Sequence, residues 1–103
     1  MPINPEAVGT VADSVVNEWD STDCLVYAVG VGAGRDPIDK RELPFTTENS
    51  NGVVQRALPT MAVVLPSTAG AFANIGSFNP AMLVHGEQRV MLHRELPIAG
   101  SIV

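Results

Sequence analysis

The 103-residue sequence has little cysteine, little positive charge and no long hydrophobic run. Its single cysteine, Cys24, excludes an internal disulfide and favours a reducing compartment, so a cytoplasmic protein is expected. Lys and Arg number 6 against 11 Asp and Glu, which leaves no basic stripe and argues against a nucleic-acid partner. The longest apolar run, residues 25–33, is about half of the ~20 residues that span a bilayer. No secretory signal opens the chain, so a soluble protein without a membrane partner is expected.

Hydrophobic residues make up 46% of the chain, a fraction typical of globular domains. The length allows one domain, residues 1–103. A chain of this size buries somewhat over ~60% of the surface that it exposes when unfolded, so a core without disulfides is possible.

The clearest local signal is a helix that begins after residue 20. Asp20 and Ser21 are good N-cap residues, and Asp23 places a carboxylate in the first turn. Residues 24–32 carry apolar side chains on every side, so this helix is predicted to be buried all round. The glycines at positions 30, 32 and 34 and the Arg-Asp-Pro sequence that follows end it.

Shorter elements and loops are predicted on both sides of this helix. Residues 14–18 form a short strand, residues 36–52 a polar loop that ends in an Asn-Gly turn, residues 61–65 an apolar core helix that follows Pro59 and stops at Pro66, and residues 67–79 a flexible loop.

The C-terminal part of the sequence predicts a hairpin. Residues 88–95 alternate in the manner of a strand, residues 96–100 turn the chain, and residues 101–103 begin the partner strand. A strand cut after three residues leaves its neighbour as an unpaired edge, which natural domains avoid or protect. The domain is therefore expected to be truncated at its C-terminal end.

The glycine-rich segment at residues 30–34 does not have the spacing of a nucleotide-binding loop. A dinucleotide fingerprint needs Gly-x-Gly-x-x-Gly between a strand and a helix, and a phosphate-binding loop also needs a lysine that is missing here. Helix termination and tight packing are the expected roles.

His85 and Glu87 lie two residues apart beside a glycine, and the sequence leaves two roles open for them. The pair has the residue types for acid–base chemistry near neutral pH. Alternatively, the segment is a hydrogen-bonded corner that precedes a strand. His93 and Cys24 do not have zinc-ligand spacing relative to His85, so no metal site is expected.

Five segments in a fixed order resemble the MaoC-like dehydratase family, and more narrowly the N-terminal half of the (R)-specific 2-enoyl-CoA hydratases. The hydratase region of peroxisomal multifunctional enzymes belongs to this group. The segments are Trp-Asp-Ser-Thr-Asp at 19–23, Leu-Val-Tyr-Ala-Val-Gly-Val-Gly-Ala at 25–33, Leu-Pro-Thr at 58–60, Val-His-Gly-Glu-Gln at 84–88 and Leu-Pro-Ile-Ala-Gly at 96–100.

The resemblance implies an α+β hot-dog fold, in which a curved antiparallel sheet wraps a central helix, here incomplete. It implies a second hot-dog domain or subunit as partner, in a homo- or heterodimer. The implied reaction is the addition of water to a trans-2-enoyl-CoA, which gives an (R)-3-hydroxyacyl-CoA without a metal or redox cofactor. An alternative is a non-catalytic hot-dog subunit that binds acyl-CoA beside a separate catalytic subunit.

The catalytic Asp and His of the family belong to a Gly-Asp-x-Asn-Pro-aliphatic-His motif in the C-terminal half, and this sequence lacks it. Asn79 and Pro80 are followed by His85, but no Asp precedes them and the spacing is too long. The resemblance therefore assigns no catalytic residue here. It implies a substrate-binding set whose apolar members house the acyl tail and whose other members hold the interface between the halves. The apolar members are Met61, Val64, Leu65, Phe72 and Phe78, and the others are His85 and Gly86, whose interface role the resemblance extends to Glu87 and Gln88.

Overall fold

The computed structural model describes residues 3–66, 70, 72 and 74–103, and within them the chain is α+β. The regular elements are strand β1 (Asn17–Trp19), helix α1 (Ser21–Gly30), helix α2 (Leu43–Thr46) and strand β2 (Gly100–Ile102). Short 3-10 helices occupy Pro5–Ala7, Lys40–Glu42, Pro59–Val63 and Pro80–Met82.

Helix α1 begins where the sequence predicts. The Asp20 carboxylate accepts the backbone N–H of Asp23 at 2.9 Å, and the Asp23 carboxylate accepts the backbone N–H of Asp20 at 2.9 Å. This reciprocal pair is a capping box, which satisfies two N–H groups that the first turn would otherwise leave unbonded. The helix ends at Gly30, two residues before the predicted end, and Gly32 and Gly34 then adopt positive φ angles of 105° and 79°.

The prediction that α1 is buried on every side is wrong. Only Cys24 and Ala28 are buried, whereas Val26 and Val29 are 68% and 58% exposed. A helix with one buried stripe packs against neighbours on one side only, and in the described part of the chain no second layer covers the opposite side of α1.

The two strands form one antiparallel ladder in which Asn17 pairs with Ile102 and Trp19 with Gly100. Strand β1 therefore lies partly beyond the predicted range of 14–18. Strand β2 confirms a strand near the end of the chain, but its partner is β1 rather than residues 88–95. The predicted strand at 88–95 is wrong, because a strand needs a neighbouring backbone and no strand pairs with it in the part of the chain that the structure describes.

The core is small and forms where α1 meets the chain segments on either side of it. Trp19, Cys24, Ala28, Ala57 and Met61 are the buried hydrophobic residues. The Trp19 indole Nε1 donates to the carbonyl of Pro97 at 2.9 Å, and the Cys24 Sγ donates to the carbonyl of Ile98 at 3.4 Å. The segment that leads into β2 is thus bound to both β1 and α1.

The predicted loop at 36–52 contains two short helices, and this prediction is corrected. The Asp39 side chain accepts the Arg41 backbone N–H at 3.0 Å and caps Lys40–Glu42, and Pro44 occupies the first turn of α2. Asp and Pro favour helix starts for these reasons. The predicted turn at Asn51-Gly52 is confirmed, with Gly52 at a φ of 73°.

The predicted helix at 61–65 is a 3-10 helix that spans Pro59–Val63, with Pro59 in its first turn as expected. Met61 is buried as predicted, but Val64 lies beyond the helix and is exposed. Residues 67–69, 71 and 73 of the predicted flexible loop lie outside the described residues.

Candidate functional site

A cavity of about 400 Å³ opens between α1 and the 3-10 helix Pro59–Val63. Its walls come from β1, from one face of α1 and from the segment that begins at Met61. The lining residues are Asn17, Glu18, Trp19, Asp23, Val26, Tyr27, Met61, Val64 and Leu65. Three residues of the predicted substrate-binding set, Met61, Val64 and Leu65, are thereby brought together.

Core packing and one polar contact position the two main walls of this cavity. Met61 is buried in the same cluster as Trp19, and Tyr27 and Leu65 are partly buried against that cluster. The Tyr27 and Thr60 hydroxyls are hydrogen bonded at 3.0 Å. This bond links α1 directly to the 3-10 helix, so the width of the cavity depends on the relative position of these two elements.

The charged groups in the lining are both carboxylates. Glu18 and Asp23 are exposed, and the Asp23 carboxylate is held by the capping box. The inner walls consist of apolar and aromatic side chains. The cavity therefore suits an apolar group, and its acidic rim disfavours an anion at the same place.

Phe78 lies at another cavity, and Phe72 packs against Phe78. Their ring centroids are 6.3 Å apart with an interplanar angle of 55°, a tilted geometry typical of aromatic pairs. Phe78 lines a cavity of about 240 Å³ that shares no lining residue with the first. The five apolar residues predicted to house the acyl tail are thus divided between two places.

His85 and Gly86 are exposed and line neither cavity. The His85 Nε2 lies 3.0 Å from the Gln88 Oε1, so its hydrogen-bonding partner is a side chain three residues on. The contact holds the ring on the surface of this segment.

Cys24 is an unsuitable nucleophile in this structure. It is 1% exposed, and burial is the main cause of a raised thiol pKa, to which the nearby Asp23 and Asp20 carboxylates add. A thiolate is the reactive form, so a raised pKa lowers reactivity. Among the residues that the structure describes, no group of three His, Cys, Asp or Glu side chains could hold a metal ion.

Trp19, Asp23, Val26 and Tyr27 belong to the cavity, but sequence reasoning did not assign them to a site. A signal for three of them was present. Positions 23, 26 and 27 follow the i, i+3, i+4 spacing that brings side chains to one face of a helix. Tyr27 could have been found as a polar group on that face.

These features define a class of protein, a small α+β domain with an open apolar cavity beside its main helix. The family follows from comparison with known sequences. A family model described as the MFE-2 hydratase 2 N-terminal domain matches residues 17–103, and the chain belongs to this family.

Similar proteins carry related names. The chain is 47% identical over 102 residues to 3-hydroxyacyl-thioester dehydratase Y of Mycobacterium tuberculosis, covering 99% of this chain and 33% of that protein. It is 30% identical over 89 residues to the peroxisomal enoyl-CoA hydratase 2 of Arabidopsis thaliana, covering 82% of this chain and 29% of that protein. It is 32% identical over 102 residues to the peroxisomal multifunctional enzyme type 2 of Mus musculus, covering 93% of this chain and 13% of that protein.

The chain spans about a third of the length of the first two of these relatives. Within the described parts of the chain, no helix combines the length and the apolar character needed to cross a membrane.

Proposed function

We propose that the chain is the N-terminal, substrate-accommodating portion of an (R)-specific enoyl-CoA hydratase, or 3-hydroxyacyl-thioester dehydratase, that adds water to trans-2-enoyl-CoA. The observation that carries the proposal is the cavity between α1 and the 3-10 helix Pro59–Val63, which lies inside the residues that the family model matches. The names of the similar proteins supply the reaction class.

The acyl chain of the substrate occupies this cavity. Met61, Val64 and Leu65 form its apolar wall, and burial of a methylene group there contributes about 0.8 kcal/mol. The phosphates of coenzyme A lie elsewhere, because Glu18 and Asp23 at the rim would repel them. This arrangement fits an N-terminal half of the hydratase that binds the acyl tail.

In the whole protein, this domain belongs to a complete hot-dog fold whose central helix is α1. Support comes from Val29, an apolar residue of α1 that is 58% exposed and does not line the cavity. The partner is a second hot-dog domain or subunit, and His85 and Gly86 hold the interface between the halves. Exposure of both residues is compatible with that role.

No catalytic residue is assigned to this chain. The addition of water to an enoyl thioester needs proton transfer and stabilisation of an enolate-like oxygen, which side chains and backbone N–H groups supply. We therefore propose a reaction without a metal or redox cofactor. The free thiol of Cys24 favours a cytoplasmic location, although some relatives are named as peroxisomal.

The test is a hydration assay with the protein purified at its native length. The loss of enoyl absorbance is measured for trans-2-enoyl-CoA substrates with short and with long acyl chains. Val64→Asp places a carboxylate in the cavity wall. It should lower kcat/KM for the long substrate about tenfold more than for crotonyl-CoA, because a charge opposes burial of methylene groups. Val54→Asp is the matched control, since Val54 is 81% exposed and lies outside the lining. Equal effects of the two variants on both substrates would contradict the assignment of the cavity.

His85→Ala separates an interface role from acid–base chemistry. Loss of a general acid or base lowers kcat by about 10²–10⁴-fold, so a fall in kcat of less than about tenfold supports the interface role. A fall of a hundredfold or more would place His85 in the reaction itself.

The alternative function is a non-catalytic acyl-CoA-binding subunit that pairs with a separate catalytic subunit. The acidic rim of the cavity also suits this function, because a binding subunit needs to hold only the acyl end of the ligand in this cavity. Native and denaturing mass spectrometry distinguish the two. A 10.9 kDa subunit within a larger hetero-oligomer supports the alternative, and a heavier single chain with activity supports the main proposal.

A further inference from the structure

The chain segment that forms one wall of the cavity beside α1 is attached to this helix by hydrogen bonds at two points. The Gln55 Nε2 donates to the carbonyl of Ser21 at 2.9 Å, at the start of α1. Further along the segment, the Thr60 and Tyr27 hydroxyls are hydrogen bonded at 3.0 Å. Ser21 and Tyr27 lie more than one helical turn apart. The two bonds therefore fix both the register and the direction of the segment along α1.

Apolar packing between these two bonds does not by itself hold the wall in a single position. Cys24, Ala57 and Met61 are buried in one cluster that joins the segment to α1. The methionine side chain is unbranched and adaptable, so its packing tolerates small shifts of the backbone. A short 3-10 helix also has poor internal hydrogen-bond geometry. The position of the helix Pro59–Val63 therefore depends on a directional contact, which the Thr60 hydroxyl supplies.

The hydroxyl pair lies at the cavity, whereas the bond made by Gln55 does not. Tyr27 belongs to the cavity lining, and Met61, which follows Thr60 in the chain, lies in the opposite wall. Thr60, Gln55 and Ser21 do not line the cavity. Loss of the Thr60 hydroxyl would leave the Gln55 contact and the buried cluster in place. The segment would then stay folded, and only the cavity end of the wall would be released.

We propose that Thr60 is a specificity-determining positioning residue, which acts through Tyr27 to hold the wall of the cavity against the acyl chain. The inference rests on the proposed function, because it concerns the cavity in which that function places the acyl chain. Apolar contact grows with chain length, so a displaced wall weakens the binding of a long acyl chain more than that of a short one. Thr60 therefore sets how strongly the protein prefers long substrates.

The test compares Thr60→Val, which removes the hydroxyl and keeps the shape of the side chain, with Thr60→Ser, which keeps the hydroxyl. In the protein at its native length, Thr60→Val should raise KM for trans-2-decenoyl-CoA about fivefold, the loss expected for one neutral hydrogen bond. The kcat and the KM for crotonyl-CoA should not change, because the wall contacts the acyl tail equally in the ground and transition states. Thr60→Ser should restore the wild-type KM.

Gln55→Met is the matched control, because it removes the other hydrogen bond between the same segment and α1, at the end away from the cavity. It should lower Tm without changing the ratio of the two KM values. An equal rise of the decenoyl-CoA KM in Gln55→Met and Thr60→Val would overturn the inference, because any weakening of the segment would then have the same effect. A wild-type KM in Thr60→Val would also overturn it.

Tyr27→Phe removes the other hydroxyl of the pair, and it replaces Thr60→Val if the latter unfolds. The double variant should raise the decenoyl-CoA KM no further than either single variant, because the two substitutions remove one shared interaction. Additive effects would show that the two hydroxyls act independently and would overturn the inference.

Binding of decanoyl-CoA, which is saturated and cannot be hydrated, separates this inference from the proposed function. Titration calorimetry measures its Kd, which should rise in Thr60→Val by the same factor as the KM. Hydration of crotonyl-CoA together with decanoyl-CoA binding that does not depend on Thr60 refutes the positioning role alone. Binding that depends on Thr60, in a protein that hydrates no enoyl-CoA in any assembly, refutes the proposed function alone. Loss of both activity and binding in the wild type refutes both.

Discussion

At the residue scale, Trp19 joins the two ends of the described fold. Its indole N–H is bonded to the carbonyl of Pro97, and its ring lies against Gly100, its partner in the β ladder. A Cβ atom added at Gly100 would come within 3.0 Å of two ring atoms of Trp19. Glycine is therefore favoured at position 100 by close packing against Trp19 rather than by backbone conformation.

Gly100→Ala should lower the free energy of unfolding by about 1–3 kcal/mol, the usual cost of an overpacked contact. Urea denaturation followed by tryptophan fluorescence measures the change. Gly30→Ala is the control, because nothing lies within 4 Å of its added Cβ and alanine favours the helical end of α1. Similar losses of unfolding free energy in both variants would show that the destabilisation does not come from the contact with Trp19.

Cys24 gives the protein a pH dependence on the alkaline side. Burial, with smaller contributions from Asp23 and Asp20, raises its thiol pKa above the ordinary value of 9.0. The unfolded chain then ionises first as the pH rises and binds fewer protons than the native chain. The contribution of this thiol to stability is thus fully present below pH 9.0 and is lost as the pH rises through the native pKa.

Cys24→Ala should remove this loss of stability at alkaline pH. The difference in unfolding free energy between wild type and variant should shrink from pH 8 towards pH 11 in urea titrations, where the unfolded thiol of pKa 9.0 ionises. A difference that stays constant over this range would show that the thiol pKa is the same in both states.

At the element scale, α1 and residues 84–92 differ most in how far hydrogen bonds hold their backbones. Helix α1 is capped at its start, bonded along its length and tied to neighbouring segments through Cys24 and Tyr27. Residues 84–92 have no regular secondary structure, and their backbone groups form no backbone hydrogen bonds with other described residues. Hydrophobic alternation predicted a strand there, but the ladder that it needs is not formed within the described chain.

Amide hydrogen exchange of the 103-residue chain should show this contrast. Amides at 84–92 should exchange nearly as fast as in an unfolded peptide, whereas amides at 25–28 in α1 should be protected, since exchange requires breakage of their hydrogen bonds. Val53 is the internal comparison, because its N–H donates to Ser50 in a single turn. Protection of 84–92 equal to that of α1 would indicate that another strand pairs with this segment.

At the scale of the whole molecule, the chain is elongated. Its principal extents are 58 × 26 × 21 Å and its radius of gyration is 17.6 Å, compared with the roughly 13 Å of a compact domain of this length. Few hydrophobic residues are buried, and many valines are exposed. The two apolar cavities and the uncovered face of α1 therefore all lie at the surface of a thin structure.

Small-angle X-ray scattering of the 103-residue chain should give a radius of gyration near 17.6 Å and an elongated distance distribution. A concentration series excludes growth by association. A radius near 13 Å would mean that the chain closes into a compact core in solution, and the cavity beside α1 would then be covered.

Features that depend on neighbouring residues were predictable. The start of α1 follows from the Asp20 and Asp23 carboxylates, which bond to backbone groups three residues away. Pro59 favours the start of a 3-10 helix, and the Asn-Gly pair before Val53 favours a turn, because each restricts or permits backbone angles at its own position. The short helices within 36–52 depended on equally local signals, the Asp39 cap and Pro44, and were missed because the segment as a whole is polar.

The helix start, the proline and glycine turns, the acidic charge and the ordered motifs of the family each depend on adjacent residues, so they can be derived without the fold. The pairing of β2 with β1, the exposed face of α1 and the separation of Met61 and Phe78 into different cavities are known only from the folded chain. These features join residues far apart in the chain. Periodicity shows which side chains can be buried, but the partner that buries them is set by which distant segments pack together.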